Sequence, residues 1–183
     1  MPKTLVLIAD GSEEMEAVIT IDVLRRASWP VTVAAVKEQP TIIASRGVKI
    51  EADICLHDLD VSSYQLVVLP GGKGGTDVFS KNVAVQALLQ QFQAAGKMIA
   101  AICAAPLALD AAGVLEGHQY TCYPGVNDDI ASGHYNSSAL VVEDGKLITS
   151  QGPGTTFPFA LALIAHFENK KAAEKLRRQM ILT

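Results

Sequence analysis

Three short stretches place residue types capable of chemistry beside residues that make turns. In KMIAAICAAPLALDAAG, residues 97–113, an apolar run suited to a buried strand passes through Cys103 into an alanine-rich helical stretch. A strand-to-helix turn lifts its side chain above a sheet, and Ala101, Ala104 and Ala105 are small enough to permit it. A thiol at the start of a helix meets unpaired N–H groups and the positive end of the dipole. That favours the thiolate by about 0.3–2 kcal/mol and predicts a lowered pKa. The same apolar context also suits an inert packed thiol, because free cysteine is among the most buried residue types.

The second stretch, VVLPGGKGG, offers the backbone N–H groups of Gly71 and Gly72. The amides of Gly72 and Ala104 together would supply two donors for the oxyanion of a carbonyl attacked by Cys103. Glycines there also serve a bare tight turn. GGKGG lacks the G-x-G-x-x-G spacing and the Lys-Ser ending of phosphate loops, so nucleotide binding is not indicated. The third stretch, DGSEEMEAV, brings Asp10, Glu13, Glu14 and Glu16. Glu13 and Glu14 read as a solvated helix start whose carboxylates complement the dipole. Glu16, if buried, would keep its proton and donate a hydrogen bond to a thiolate; ionised, it would oppose one.

These stretches need strands and crossover helices to bring them together. TLVLIA (4–9), VTVAAV (31–36), LVVLP (66–70) and MIAAIC (98–103) read as buried strands. Ala17, Ile21, Leu24 and Ala27 recur at helical spacing after the first strand, and VAVQALLQQFQAAG gives a helix stopped at Gly96. IIASRGVKIEAD predicts an edge hairpin about Arg46 and Gly47, and LVVEDGKLITS a hairpin on Asp144-Gly145. VNDDIASGHYNSS reads as a polar loop, and the C-terminal helices should break near Glu168 and Asn169. Alternating strands and helices predict an α/β fold with a mostly parallel sheet covered on both faces. In such sheets ligands bind beyond the carboxyl ends of the strands, where all three stretches lie.

With 183 residues and 49% hydrophobic content, the expectation is a single domain over 1–183. A net charge of −4 without a basic block gives no footprint for nucleic acid. The start MPKTLVLIADGSEE has too short an apolar run for a signal peptide or a membrane span, so a cytoplasmic location is expected. Cys55, Cys103 and Cys122 stand singly, which suggests reduced thiols rather than disulfides or a zinc cluster. No metal site and no cofactor is expected, and Cys55 and Cys122 have no recognisable partner.

IADGSEEMEAV, VVLPGGKGG, AAICAAP and TSQGPGT together resemble the ThiJ/PfpI superfamily, in particular its Parkinsonism-associated deglycase branch and close bacterial homologues. The resemblance spans nearly the whole chain. It implies a flavodoxin-like sandwich, a homodimer, Cys103 as the reactive and oxidisable cysteine, Glu16 as its protonated partner, and Gly72 and Ala104 as the oxyanion amides. It also implies that Asp22, Arg26, Arg46 and Pro153 lie near the dimer interface and the site. Surface solvation is the plainer reading of the two arginines. The activity implied is that of a glyoxalase or deglycase, taking methylglyoxal, glyoxal or early glycation adducts on protein or nucleotide through a Cys103 hemithioacetal. The alternative is a redox-responsive chaperone, with client proteins, in which Cys103 is oxidised to sulfinic acid.

The sequence departs from the pattern at two positions. Tyr123 in TCYPG stands where the human-type branch has a histidine near the cysteine, so no Cys-His pair carries over. Ala104 follows Cys103 where the protease-like branch has histidine, which argues against a peptidase. His57, His118, His134 and His166 occupy no motif position and read as surface or loop residues.

Overall fold

The computed structural model describes residues 1–182. Strand β1 (Thr4–Ile8) is buried along its whole length, with Leu5 and Leu7 in one core and Val6 and Ile8 in the other. A strand apolar on both faces belongs in the middle of a doubly covered sheet. Its parallel neighbours are β2 (Val31–Ala35) and β6 (Leu66–Leu69), with Thr4 opposite Val31 on one side and Leu66 on the other. The sheet has seven strands in the order β10-β11-β7-β6-β1-β2-β5. The others are β5 (Ile54–Cys55), β7 (Met98–Ile102), β10 (Val141–Asp144) and β11 (Leu147–Ser150). Only the β10–β11 hairpin, at one edge, is antiparallel.

Parallel neighbours require crossovers, and the crossover helices form the outer layers. Helices α1 (Glu14–Arg26), α5 (Thr156–Phe167) and α6 (Lys170–Gln179) cover one face around Leu24, Trp29, Phe159 and Leu163. Helices α2 (Lys73–Lys81), α3 (Val83–Ala94) and α4 (Pro106–Ala111) cover the other around Phe79, Leu89, Phe92 and Leu109. This is the expected flavodoxin-like sandwich. Gly96, at a φ of 63°, stops the chain after α3, and Asn169 starts α6 by accepting the Ala172 N–H at 2.9 Å.

Three local features depart from the sequence reading. GGKGG does not merely close β6 but opens α2, because Gly74 and Gly75 pack against the backbone of Gly11 and Ser12, where a Cβ would collide. The hairpin of β3 (Thr41–Ile43) and β4 (Lys49–Glu51) forms its own two-stranded sheet; the edge of the main sheet is β5. The segment expected as a polar loop contains β9 (His134–Tyr135), which pairs in parallel with β8 (Gln119–Tyr120). Among the described residues no helix is long and apolar enough to cross a membrane.

Candidate active site

The three motif loops leave the carboxyl ends of β1, β6 and β7, which are neighbours in the sheet. Cys103 follows β7 with a φ of 66°, in the left-handed region. A non-glycine residue there costs about 1–2 kcal/mol and persists only where its surroundings hold it. Here its N–H donates to the Ser150 carbonyl at 3.0 Å and its carbonyl accepts from the Tyr123 N–H at 2.9 Å. The strained turn projects the thiol onto the floor of a cavity of about 510 Å³ that Gly72, Ala104, Arg46, Tyr123 and Pro153 also line. A hollow of about 700 Å³ along α6, among Asn169, Lys171, Glu174 and Arg178, is larger but is lined by no thiol or hydroxyl side chain.

Glu16 lies in the first turn of α1, fully buried beneath this floor. Its Oε2 accepts the Gly71 N–H at 2.6 Å, and its Oε1 has no nitrogen or oxygen partner. The remaining polar neighbour of the carboxyl is the Cys103 thiol. A Cβ at position 71 would lie 2.6 Å from the Cys103 Cβ and 2.9 Å from Glu16 Oε2, so a glycine is what allows acid and thiol to meet. Gly72 turns the chain at a φ of 84°, where a Cβ would strike the Gly11 carbonyl at 2.3 Å.

Burial pushes the Glu16 carboxyl up to about 7, against the pull of the Gly71 N–H. Burial first, then the charge of an ionised Glu16, pushes the Cys103 thiol up to about 12, while the N–H groups of Gly72 and Ala104 pull it down. The position ahead of α4 therefore does not leave this pKa low, contrary to the expectation from the sequence. Helix α4 has six residues and begins at Pro106, three positions beyond the cysteine. Two acids buried side by side do not both ionise cheaply, so the thiolate forms readily only while Glu16 keeps its proton.

The DJ-1/PfpI family profile matches residues 2–166. The chain belongs to the DJ-1/PfpI family. The Danio rerio protein named Parkinson disease protein 7 homolog is 41% identical over 183 residues, covering 98% of this chain and 97% of that one. Protein DJ-1 homolog B of Arabidopsis thaliana is 40% identical over 182 residues, 99% of this chain, yet the chain spans only 41% of that relative's length. A Caenorhabditis elegans protein named glutathione-independent glyoxalase DJR-1.2 is 31% identical over 180 residues, covering 97% of this chain and 95% of its own. The crystal structure of Drosophila melanogaster DJ-1beta matches with a TM-score of 0.96 at 38% identity over 100% of both chains.

The DJ-1/PfpI fold gathers some of the residues singled out in the sequence and separates others. Cys103, Glu16, Gly72 and Ala104 converge, and Arg46, Tyr123 and Pro153 stand around the mouth. Asp22 and Arg26 do not line the cavity; they pair with each other at 2.6 Å on the exposed side of α1, a surface contact of small energetic weight. Glu13 and Glu14 are more than a solvated helix start. Both carboxylates stand 2.8 Å from Ser45 Oγ, whose single proton serves one of them at a time, and Glu14 takes the Arg46 N–H at 2.8 Å, which fastens the β3–β4 hairpin over the site. Asp10 adds the Ile43 N–H at 2.8 Å and Lys37 Nζ at 2.7 Å. Lys73, Thr76 and Asp77 also line the cavity; they lie on α2, whose glycines hide it in the sequence. Among the described residues no histidine lines the cavity.

Proposed function

We propose that the protein is a cysteine-dependent glyoxalase or deglycase that takes reactive dicarbonyls, such as methylglyoxal and glyoxal, or their early adducts on protein or nucleotide. The observation that carries the reading is Cys103 at a φ of 66° beside a buried acid and the N–H groups of Gly72 and Ala104, at the bottom of a cavity open to solvent. Sulfur adds to the aldehyde carbon, the carbon–sulfur bond forms as the carbonyl π bond breaks, and the thiol proton ends on the oxygen as a hemithioacetal. The N–H groups of Gly72 and Ala104 hold the oxygen while it carries charge. Glu16, once it has released its own proton, then carries the proton of the first carbon to the second, while the hydroxyl proton passes from the first oxygen to the second. This raises the first to the acid level and lowers the ketone to an alcohol, with no net redox change. Water cleaves the resulting thioester, freeing the hydroxy acid and the thiol. From methylglyoxal the product is lactate. The glyoxalase name of the nematode relative supports the substrate class.

The site is proposed to work within a homodimer, with the exposed apolar side chains of Met15 and Val18 on α1 as part of the contact. The decisive experiment is lactate release from methylglyoxal without glutathione. Wild type should turn over and Cys103→Ser should lose activity by at least about 10³-fold, the scale of a nucleophile. Equal rates in the two proteins would overturn the reading. Absence of lactate, together with conversion of Cys103 to sulfinic acid by mild peroxide and altered client protection, would favour the redox-responsive chaperone instead.

A further inference from the structure

At the far end of β2's other neighbour, β5 ends in a 3₁₀ turn, Leu56–Asp58, that gathers three ligand-type side chains. Cys55, at the start of the turn, is buried, while His57 and Asp58 stand exposed above it. One ligand atom from each lies within 4.8 Å of the other two, and His57 Nε2 is 3.3 Å from Asp58 Oδ2. None of the three lines the Cys103 cavity. The linear order C-x-H-D matches no zinc spacing; the tight turn, not the spacing, produces the cluster. Leu56 is buried in the core and the Leu59 N–H closes the turn on its carbonyl at 3.2 Å, so the backbone under the three side chains is fixed.

We propose that Cys55, His57 and Asp58 form a binding site for a borderline-soft divalent cation, zinc in the first instance. A thiolate, an imidazole and a carboxylate are the donor types zinc takes, and a tetrahedral ion with bonds of about 2.0–2.3 Å would hold them roughly 3.3–3.8 Å apart. The observed spread is slightly wider, and His57 and Asp58 are exposed side chains free to close on the ion. The sulfur–zinc bond forms as the Cys55 thiol releases its proton to solvent, His57 binds as the neutral imidazole, and water takes the fourth position. Binding should therefore weaken as pH falls.

The test uses the full chain carrying Cys103→Ser, so that the cavity thiol cannot contribute. Cobalt(II) serves as the spectroscopic probe and zinc as its competitor. One equivalent of cobalt should produce sulfur-to-metal charge-transfer absorption and tetrahedral d–d bands that zinc abolishes. His57→Ala and Asp58→Ala, both at exposed positions, should each weaken zinc binding by about tenfold or more, at least the loss that even outer-shell partners cause. Cys55→Ser should remove the charge-transfer band. A cobalt complex without thiolate absorption, or an affinity unchanged by both His57→Ala and Asp58→Ala, would overturn the site.

Discussion

At the scale of single residues, the pairing of Glu16 with Cys103 decides what the thiol can do. A second anion beside the sulfur would hold the thiol protonated, whereas a neutral carboxyl donates to it. Burial raises the Glu16 pKa from 4.5 to about 7, so the folded protein favours the protonated form over a range in which the unfolded chain ionises. The contribution of this group is then fully present below pH 4.5 and is lost as pH rises through about 7. The 4.5-to-7 shift corresponds to roughly 3 kcal/mol. Denaturant unfolding of wild type and Glu16→Gln at pH 4 and pH 8 should therefore differ. The variant, which cannot ionise, should lack that loss, giving a difference of about 1–3 kcal/mol between the two pH values. A parallel pH dependence in both proteins would place the ionisation of Glu16 outside the folding equilibrium.

At the scale of elements, α2 illustrates a conflict between propensity and packing. Glycine inside a helix costs about 1 kcal/mol relative to alanine, so Gly75→Ala should stabilise an isolated helix. In this fold a Cβ there would lie 2.5 Å from Ser12 Oγ and 2.8 Å from the Ser12 Cα. Gly75→Ala should therefore destabilise the protein by about 1–3 kcal/mol, read as a lower melting temperature. It should also disturb the loop around Ser12 that leads into α1, where Glu16 lies. A stabilised variant would mean that the loop yields freely. The same conflict explains what could be read from the sequence. Strands β1, β2, β6 and β7 are largely apolar runs, Gly72 and Cys103 sit at turns just after β6 and β7, and Glu16 lies in the first turn of the helix that follows β1, so fold class and site were visible together. Helix α2 was not, because KGGTDVFSK has the glycine content of a loop and its reason for being helical lies across space in Gly11 and Ser12. The clamp of Glu13 and Glu14 on Ser45 and Arg46 was hidden for the same reason, since its partners are 31 and 32 positions away. The raised thiol pKa is not legible in the sequence, because the desolvation that outweighs the Gly72 and Ala104 N–H groups depends on depth.

At the scale of the whole molecule, three of the exposed apolar residues belong to α1 and the hairpin segment fastened to its start. Met15 and Val18 are 51% and 49% exposed on one side of α1, three residues apart and so on the same face, and Asp22 continues it one turn on. Val48, 49% exposed, belongs to the hairpin segment that Glu13 and Glu14 fasten to the start of that helix. Apolar side chains left in water on a rigid helix are what a second copy would cover. Sedimentation equilibrium at micromolar concentration should give a dimer, and Val18→Glu, which puts a charge where burial is needed, should give a monomer with unchanged far-ultraviolet circular dichroism. A monomeric wild type would overturn the dimer, and a variant that stays dimeric would place the contact elsewhere. Cys103, Glu16, Gly72 and Ala104 all come from one chain, so dissociation does not dismantle the proposed chemistry. The Val18→Glu monomer should keep lactate release within about tenfold of wild type, or about 1.4 kcal/mol of transition-state stabilisation. A far larger loss would mean that the partner fixes the hairpin bearing Arg46 over the cavity.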